Sequence, residues 1–110
     1  MDELKGFQRR YLRGLAHSMK SVVFIGQKGL TTEVLLSAEQ ALESHELIKV
    51  RFIDFKEKNQ KAELSGLLGS KTGSEIVGTI GHTVIFYRQQ RDLEKRKIFL
   101  PQRNSIPSRI

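Results

Sequence analysis

Val22-Val23-Phe24-Ile25-Gly26-Gln27-Lys28-Gly29-Leu30-Thr31-Thr32-Glu33 carries a strand, a tight turn and a helix start in one short run. The β-branched and aromatic residues 22–25 predict a buried strand. Gly26-Gln27-Lys28-Gly29 reads as a turn. Thr31 or Thr32 can cap the helix that follows, and Glu33 falls in its first turn, where the macrodipole favours an acid. That helix extends to about residue 45. Leu35, Leu36, Ala38, Ala41 and Leu42 form its apolar side, and Glu33, Glu39 and Glu43 its solvent side. Leu47 to Phe55 then alternates as a strand. Ile48, Val50 and Phe52 share one face; Lys49, Arg51, Ile53 and Phe55 share the other.

Working outward, residues 3–17 predict a helix. Leu4, Phe7, Tyr11 and Leu15 fall in one sector, and Lys5, Arg9, Arg10, Arg13 and His17 lie opposite. Beyond the charged loop 56–59, residues 60–72 form a weaker helix. Leu64, Leu67 and Leu68 cluster there, while Gly66 and Gly69 each cost roughly 1 kcal/mol against Ala. Gly73 suits a helix C-terminus. Strands at 76–80 and 83–88 flank Gly81-His82, which fits a two-residue hairpin turn with glycine first. Lys97 to Leu100 predicts a last short strand, ended by Pro101. The α-β-α-β-α-β-β order implies an α/β fold with a mixed four-stranded sheet and helices packed against it. Residues 1–100 form one domain, and 101–110 form a tail with little to bury, expected to be mobile.

The chain has 110 residues, enough for a single core. It holds 19 Lys and Arg against 12 Asp and Glu, for a net charge of +7. The pI is near 10.0. Such an excess on one small domain points to a polyanionic partner, most often nucleic acid. The charge is uneven. Residues 32–47 hold four Glu and no Lys or Arg, whereas 1–31 hold six basic and two acidic side chains. With no Cys there is no disulfide framework, thiolate zinc site or Cys nucleophile. No apolar run approaches the ~20 residues that span a bilayer, and residues 1–5 lack the apolar core of a signal peptide. The expectation is a cytoplasmic monomer with no membrane partner.

The turn at 26–29 leaves a strand and enters a helix. A helix N-terminus offers unpaired N–H groups and partial positive charge to an anion. Glycines admit a phosphate without a Cβ clash, and Lys28 adds a cation at the tip. KH domains clamp single-stranded RNA with a GXXG loop of this kind. An ordinary turn between strand and helix fits the same four residues. Gly69-Ser70-Lys71-Thr72-Gly73 fails the nucleotide-loop pattern, because Ser70 separates the glycine from the lysine. His17, His45 and His82 have no metal-ligand spacing. His45 is expected to pack on the apolar side of its helix, and the four Glu of residues 33–46 to form a solvated face. No catalytic triad or carboxylate pair can be picked out. Neither a catalytic residue, a metal ligand nor a cofactor is therefore expected. Tyr87 and Arg88 are further candidates for contacting RNA, by stacking and by charge. A core-edge Tyr beside a snorkelling Arg fits them equally.

Several stretches together resemble a known family. Leu12-Arg13-Gly14-Leu15-Ala16-His17 resembles the opening of the bacterial YhbY family, the stand-alone form of the CRM (chloroplast RNA splicing and ribosome maturation) domain. Ile25-Gly26-Gln27-Lys28-Gly29-Leu30-Thr31 resembles its glycine loop. Ala41-Leu42-Glu43-Ser44-His45-Glu46-Leu47-Ile48-Lys49-Val50 is similar to its central segment, and residues 72–73 with 77–88 resemble its terminal hairpin. The likeness runs over roughly residues 4–100. Gly66, Gly69 and the tail after Pro101 depart from the pattern. The resemblance implies a domain similar to the C-terminal domain of translation initiation factor three, without enzymatic activity. It further implies RNA binding and association with precursors of the large ribosomal subunit.

On that basis Gly26, Gln27, Lys28 and Gly29 would contact RNA, with Arg9, Arg10, Arg13, Lys20 and Lys28 holding phosphates. Two other readings use the same residues differently. One is an RNA chaperone or intron-splicing accessory. The other is a protein-interaction module that docks a ribosomal protein through the acidic helix 33–46.

Overall fold

A computed structural model of the protein describes residues 3–54 and 57–102. Its elements are α1 (Gly6–Ala16), β1 (Ser21–Ile25), α2 (Thr32–His45), β2 (Leu47–Phe52), α3 (Lys58–Thr72), β3 (Glu75–Ile80) and β4 (Thr83–Tyr87). The four strands form one mixed sheet in the order β1-β2-β4-β3. β1 and β2 are parallel, and the other two pairings are antiparallel. The expected α/β architecture is therefore present.

Helices cover both faces. On one face, Ala38 and Leu42 of α2 and Leu68 of α3 pack on Val23, Ile25, Ile48, Val50, Phe52, Val84 and Phe86. On the other, Leu4, Leu12 and Ala16 pack on Leu47, Val77, Ile85 and Tyr87. This double burial explains why β4 reads as a continuous apolar run, with all of Val84–Tyr87 inside. Gly73 ends α3 at φ 69° and Gly81 opens the hairpin at φ 58°, the left-handed conformations for which glycine is suited.

Several expectations are corrected. The inward line of α1 is Gln8, Leu12 and Ala16, continued by Leu4 just before the helix. Tyr11 and Leu15, placed inside by periodicity, are 41% and 39% exposed. The cause lies in β3, an edge strand that bulges between Ile76 and Gly78. Arg9 donates to the Ile76 carbonyl at 2.6 Å and Arg13 to the Val77 carbonyl at 3.3 Å. These bonds rotate α1 so that its arginine flank lies against β3. The aliphatic part of Arg13 crosses Gly78 so closely that a Cβ there would stand 2.8 Å from its Cδ. Leu36 and Leu67 are also exposed, as is His45.

Glu46 is the largest departure. It is not part of a solvated face but buried to 1% exposure, at φ 66°. Its Oε2 accepts the Gln90 N–H at 2.8 Å, and its Oε1 accepts those of Lys97 and Ile98 at 2.8 and 2.9 Å. Residues 97–100 consequently form no strand; this carboxylate takes the N–H groups a strand partner would have used. Ile98 and Leu100 pack beneath α1, and the Pro101 carbonyl accepts the Gln8 amide at 3.2 Å. The start of the expected tail is thus held. Residues 103–110, and Phe55 on the second strand, lie outside the described residues.

Candidate nucleic-acid interface

The 26–29 turn is built from short-range bonds. Gly29 N–H donates to the Gly26 carbonyl at 3.0 Å, and Gly29 sits at φ 73°. Thr31 N–H then donates to the Gly29 carbonyl. The Thr31 hydroxyl accepts the Val34 N–H at 3.2 Å, so Thr31 is the helix cap. Among the described residues, no protein group accepts the backbone N–H of Gln27 or Lys28, and both side chains are exposed. The turn therefore presents free donors next to a cation, beside the N-terminus of α2. The two glycines differ. Gly29 is required by its backbone angle, whereas an added Cβ at Gly26 would meet nothing within 4 Å.

Three further elements converge on this end of the sheet. Ile53 N–H donates to the Ile25 carbonyl and Phe52 N–H to the His82 carbonyl, each at 2.8 Å. The Lys61 ammonium lies 2.9 Å from Nδ1 of His82, tying the start of α3 to the hairpin. Arg51 is exposed on β2 between Phe24 and Thr83. Lys61, His82 and Arg51 were not singled out as site residues in the sequence. The alternation of β2 did place Arg51 on the face that carries Lys49.

The predicted cations divide into two groups. Arg10, Lys20 and Lys28 are exposed and have no acceptor among the described residues. Arg9 and Arg13 instead hold α1 to β3, and Arg9 also pairs with Glu75 at 3.1 Å. Of the two further candidates, one is buried and the other is only partly exposed and engaged by acceptors of the fold. Tyr87 is fully buried, so its ring cannot stack on a base. Burial, reinforced by the Glu46 carboxylate, pushes its phenol up to about 12. Arg88 is held by Glu39 at 2.6 Å, Glu43 at 3.2 Å and the Thr72 carbonyl at 2.9 Å. The acidic helix is partly neutralised by the same bonds. Glu46 is buried, while Glu33, Glu39 and Glu43 stay exposed, the last two sharing Arg88. Among the described residues no group of His, Asp or Glu could hold a metal ion.

Fold and site together define a single α/β domain with a helix-flanked mixed sheet and a glycine turn that offers backbone donors at a basic end. The chain belongs to the CRS1/YhbY (CRM) domain family, whose model matches residues 4–88. It is 37% identical over 103 residues to a Haemophilus influenzae protein named RNA-binding protein, covering 94% of this chain and 100% of that one. It is 33% identical over 98 residues to the Bacillus subtilis Probable RNA-binding protein YqeI, covering 89% and 99%. The solution structure of a hypothetical Staphylococcus aureus protein, described as an RNA-binding candidate, superposes with a TM-score of 0.74 at 34% identity. That match covers 90% of this chain and 100% of the other.

Proposed function

We propose that the protein binds RNA, without catalysing a reaction, as an assembly factor on precursors of the large ribosomal subunit. The observation that carries this reading is the 26–29 turn. Its free Gln27 and Lys28 N–H groups and the Lys28 ammonium face solvent at the end of the sheet that also carries Arg51. Donors of this kind fit phosphate oxygens, which give affinity and position rather than sequence choice. The names borne by the relatives support RNA as the partner. The ribosomal precursor is the substrate implied by the family resemblance.

Two measurements test it. Replacing Lys28 and Arg10 together lowers affinity for ribosomal RNA and reduces the salt slope by about 0.7 for every phosphate of a single strand that is no longer neutralised. Sedimentation of a cell extract should place the protein with large-subunit precursors. Unchanged affinity and slope would reject the surface. Crosslinked intron RNA without ribosomal precursors would reject the assembly role in favour of splicing.

A further inference from the structure

The strand register places an unusual row on the sheet face that α1 only partly covers. Phe24 pairs with Arg51, Arg51 with Thr83, and Thr83 with Ile80. The alternation that sends Ile25, Phe52 and Val84 into the α2–α3 core points this row to the opposite side. Phe24 is 50% exposed and Ile80 59%, and Val22, at the β1 bulge two residues before Phe24, is 43% exposed. None of these three belongs to either core cluster. Folding does not use them, and a large apolar pair on an edge strand invites wrong pairing.

Charge says what covers the row. The Arg51 guanidinium at its centre has no acceptor among the described residues. Lys28 follows in the turn four residues after Phe24, and Lys20 lies just before β1. The flank of α1 that carries Tyr11 and Leu15 is opposite its arginine flank, so it turns away from β3 toward the β1 side. An exposed aromatic ring with a free guanidinium as its cross-strand neighbour, bordered by lysines, suits a nucleobase and its phosphate. Rings hold bases by stacking while cations track the backbone. A basic protein partner would be repelled, and a purely apolar one would leave Arg51 unpaired.

We infer that the Phe24–Arg51 row is a stacking platform for unpaired bases of single-stranded RNA whose backbone continues into the 26–29 turn. The inference rests on the RNA-binding reading above and assigns the strandedness of the RNA. Duplex RNA, with its bases already stacked, has no face to offer Phe24.

The protein contains no Trp, so Phe24→Trp introduces a single indole reporter at the platform. Short oligoadenylate should quench it and a self-complementary duplex should not. Phe24→Ala should weaken oligoadenylate binding roughly 5- to 150-fold, as for removal of one stacked base, with the salt slope unchanged. Arg51→Gln should lower the slope by about 0.7. Far-ultraviolet circular dichroism confirms that each variant is folded. Lys28→Gln, titrated in parallel, separates the two readings. If it weakens binding and Phe24→Ala does not, the turn stands and the platform falls. An indole unmoved at saturating oligoadenylate also overturns the platform. So does a wild-type dimer that Phe24→Ala dissociates without changing RNA affinity, since the row would then join two copies.

Discussion

Removing the Glu46 carboxylate should release the C-terminal arm while the sheet remains folded. The side chain is buried and accepts three backbone N–H groups, from Gln90, Lys97 and Ile98. Bonds to a charged acceptor contribute about 1.5–3 kcal/mol each, and donors left buried without a partner cost about 1–3 kcal/mol each. Lys97 and Ile98 are only partly enclosed, so water replaces some of what they lose. Glu46→Ala should therefore cost about 3–5 kcal/mol, within the ~5–15 kcal/mol of a small domain. Glu46→Gln keeps one oxygen, which can serve Lys97 and Ile98, but turns an NH2 toward the Gln90 N–H. It should cost about half as much. The φ of 66° supplies a third arm. Glycine relieves the left-handed strain that alanine retains, so Glu46→Gly should be milder than Glu46→Ala by about 1 kcal/mol. Urea denaturation gives the three free energies, and hydrogen exchange should show faster exchange at Lys97 and Ile98 than in the β2–β4 ladder. An alanine variant that loses under ~1 kcal/mol, with those two amides still protected, would refute the staple.

Gly29→Ala should lose about 1–2 kcal/mol because of its left-handed φ, whereas Gly26→Ala has open space and should melt like wild type. If RNA approaches the turn backbone, Gly26→Ala nevertheless weakens binding; equal affinity would move the RNA elsewhere on the surface. Arg9→Ala, without its bonds to Ile76 and Glu75, should cost on the order of 1–2 kcal/mol. Lys28→Ala should change stability by less than ~0.5 kcal/mol while reducing RNA affinity. Reversed phenotypes in paired melting and binding assays would show that the two groups of cations are misassigned. Tyr87 keeps its proton up to about pH 12 when folded but loses it near 10.0 when unfolded. Its contribution is complete below the lower value and falls by roughly 2–3 kcal/mol as pH rises through that window. Denaturation curves from pH 9.5 to about 12 should show a steeper loss for wild type than for Tyr87→Phe, and parallel losses would contradict the buried phenol.

The order of elements was legible because the periods were clean. The 22–25 run, the alternation over 47–52 and the Gly81-His82 turn each rest on local chemistry, and the register leaves them unchanged. What the sequence could not carry were choices made by distant partners. The hydrophobic sector of residues 4–15 suggests one rotation of α1. Two guanidiniums seeking carbonyls on the β3 bulge impose another, and no local pattern signals a bulge more than 60 residues away. Glu46 looked like its neighbours Glu39 and Glu43 on helical spacing alone. Its burial depends on an arm that returns from residues 90–98. Tyr87 failed as a surface residue for a related reason, because both faces of β4 are covered.

These tertiary choices sort the charge that composition only counts. Arg9, Arg13, Lys49, Arg88 and Arg96 bond protein carbonyls, two of them also carboxylates, so each has at least one donor committed within the fold. Arg9 also pairs with Glu75, and Arg88 with Glu39 and Glu43. Arg10, Lys20, Lys28 and Arg51 bond no described acceptor, and Lys28 and Arg51 share the end where β1 and β2 finish. A cation bonded to carbonyls or carboxylates has fewer donors left for a phosphate; an unbonded one need only shed water. On the proposed reading, RNA is met by the second group, while the first group ties the elements of the fold together. Screening by salt should weaken RNA binding well before it loosens the fold, because exposed charges are screened and the partly buried arginine bonds much less.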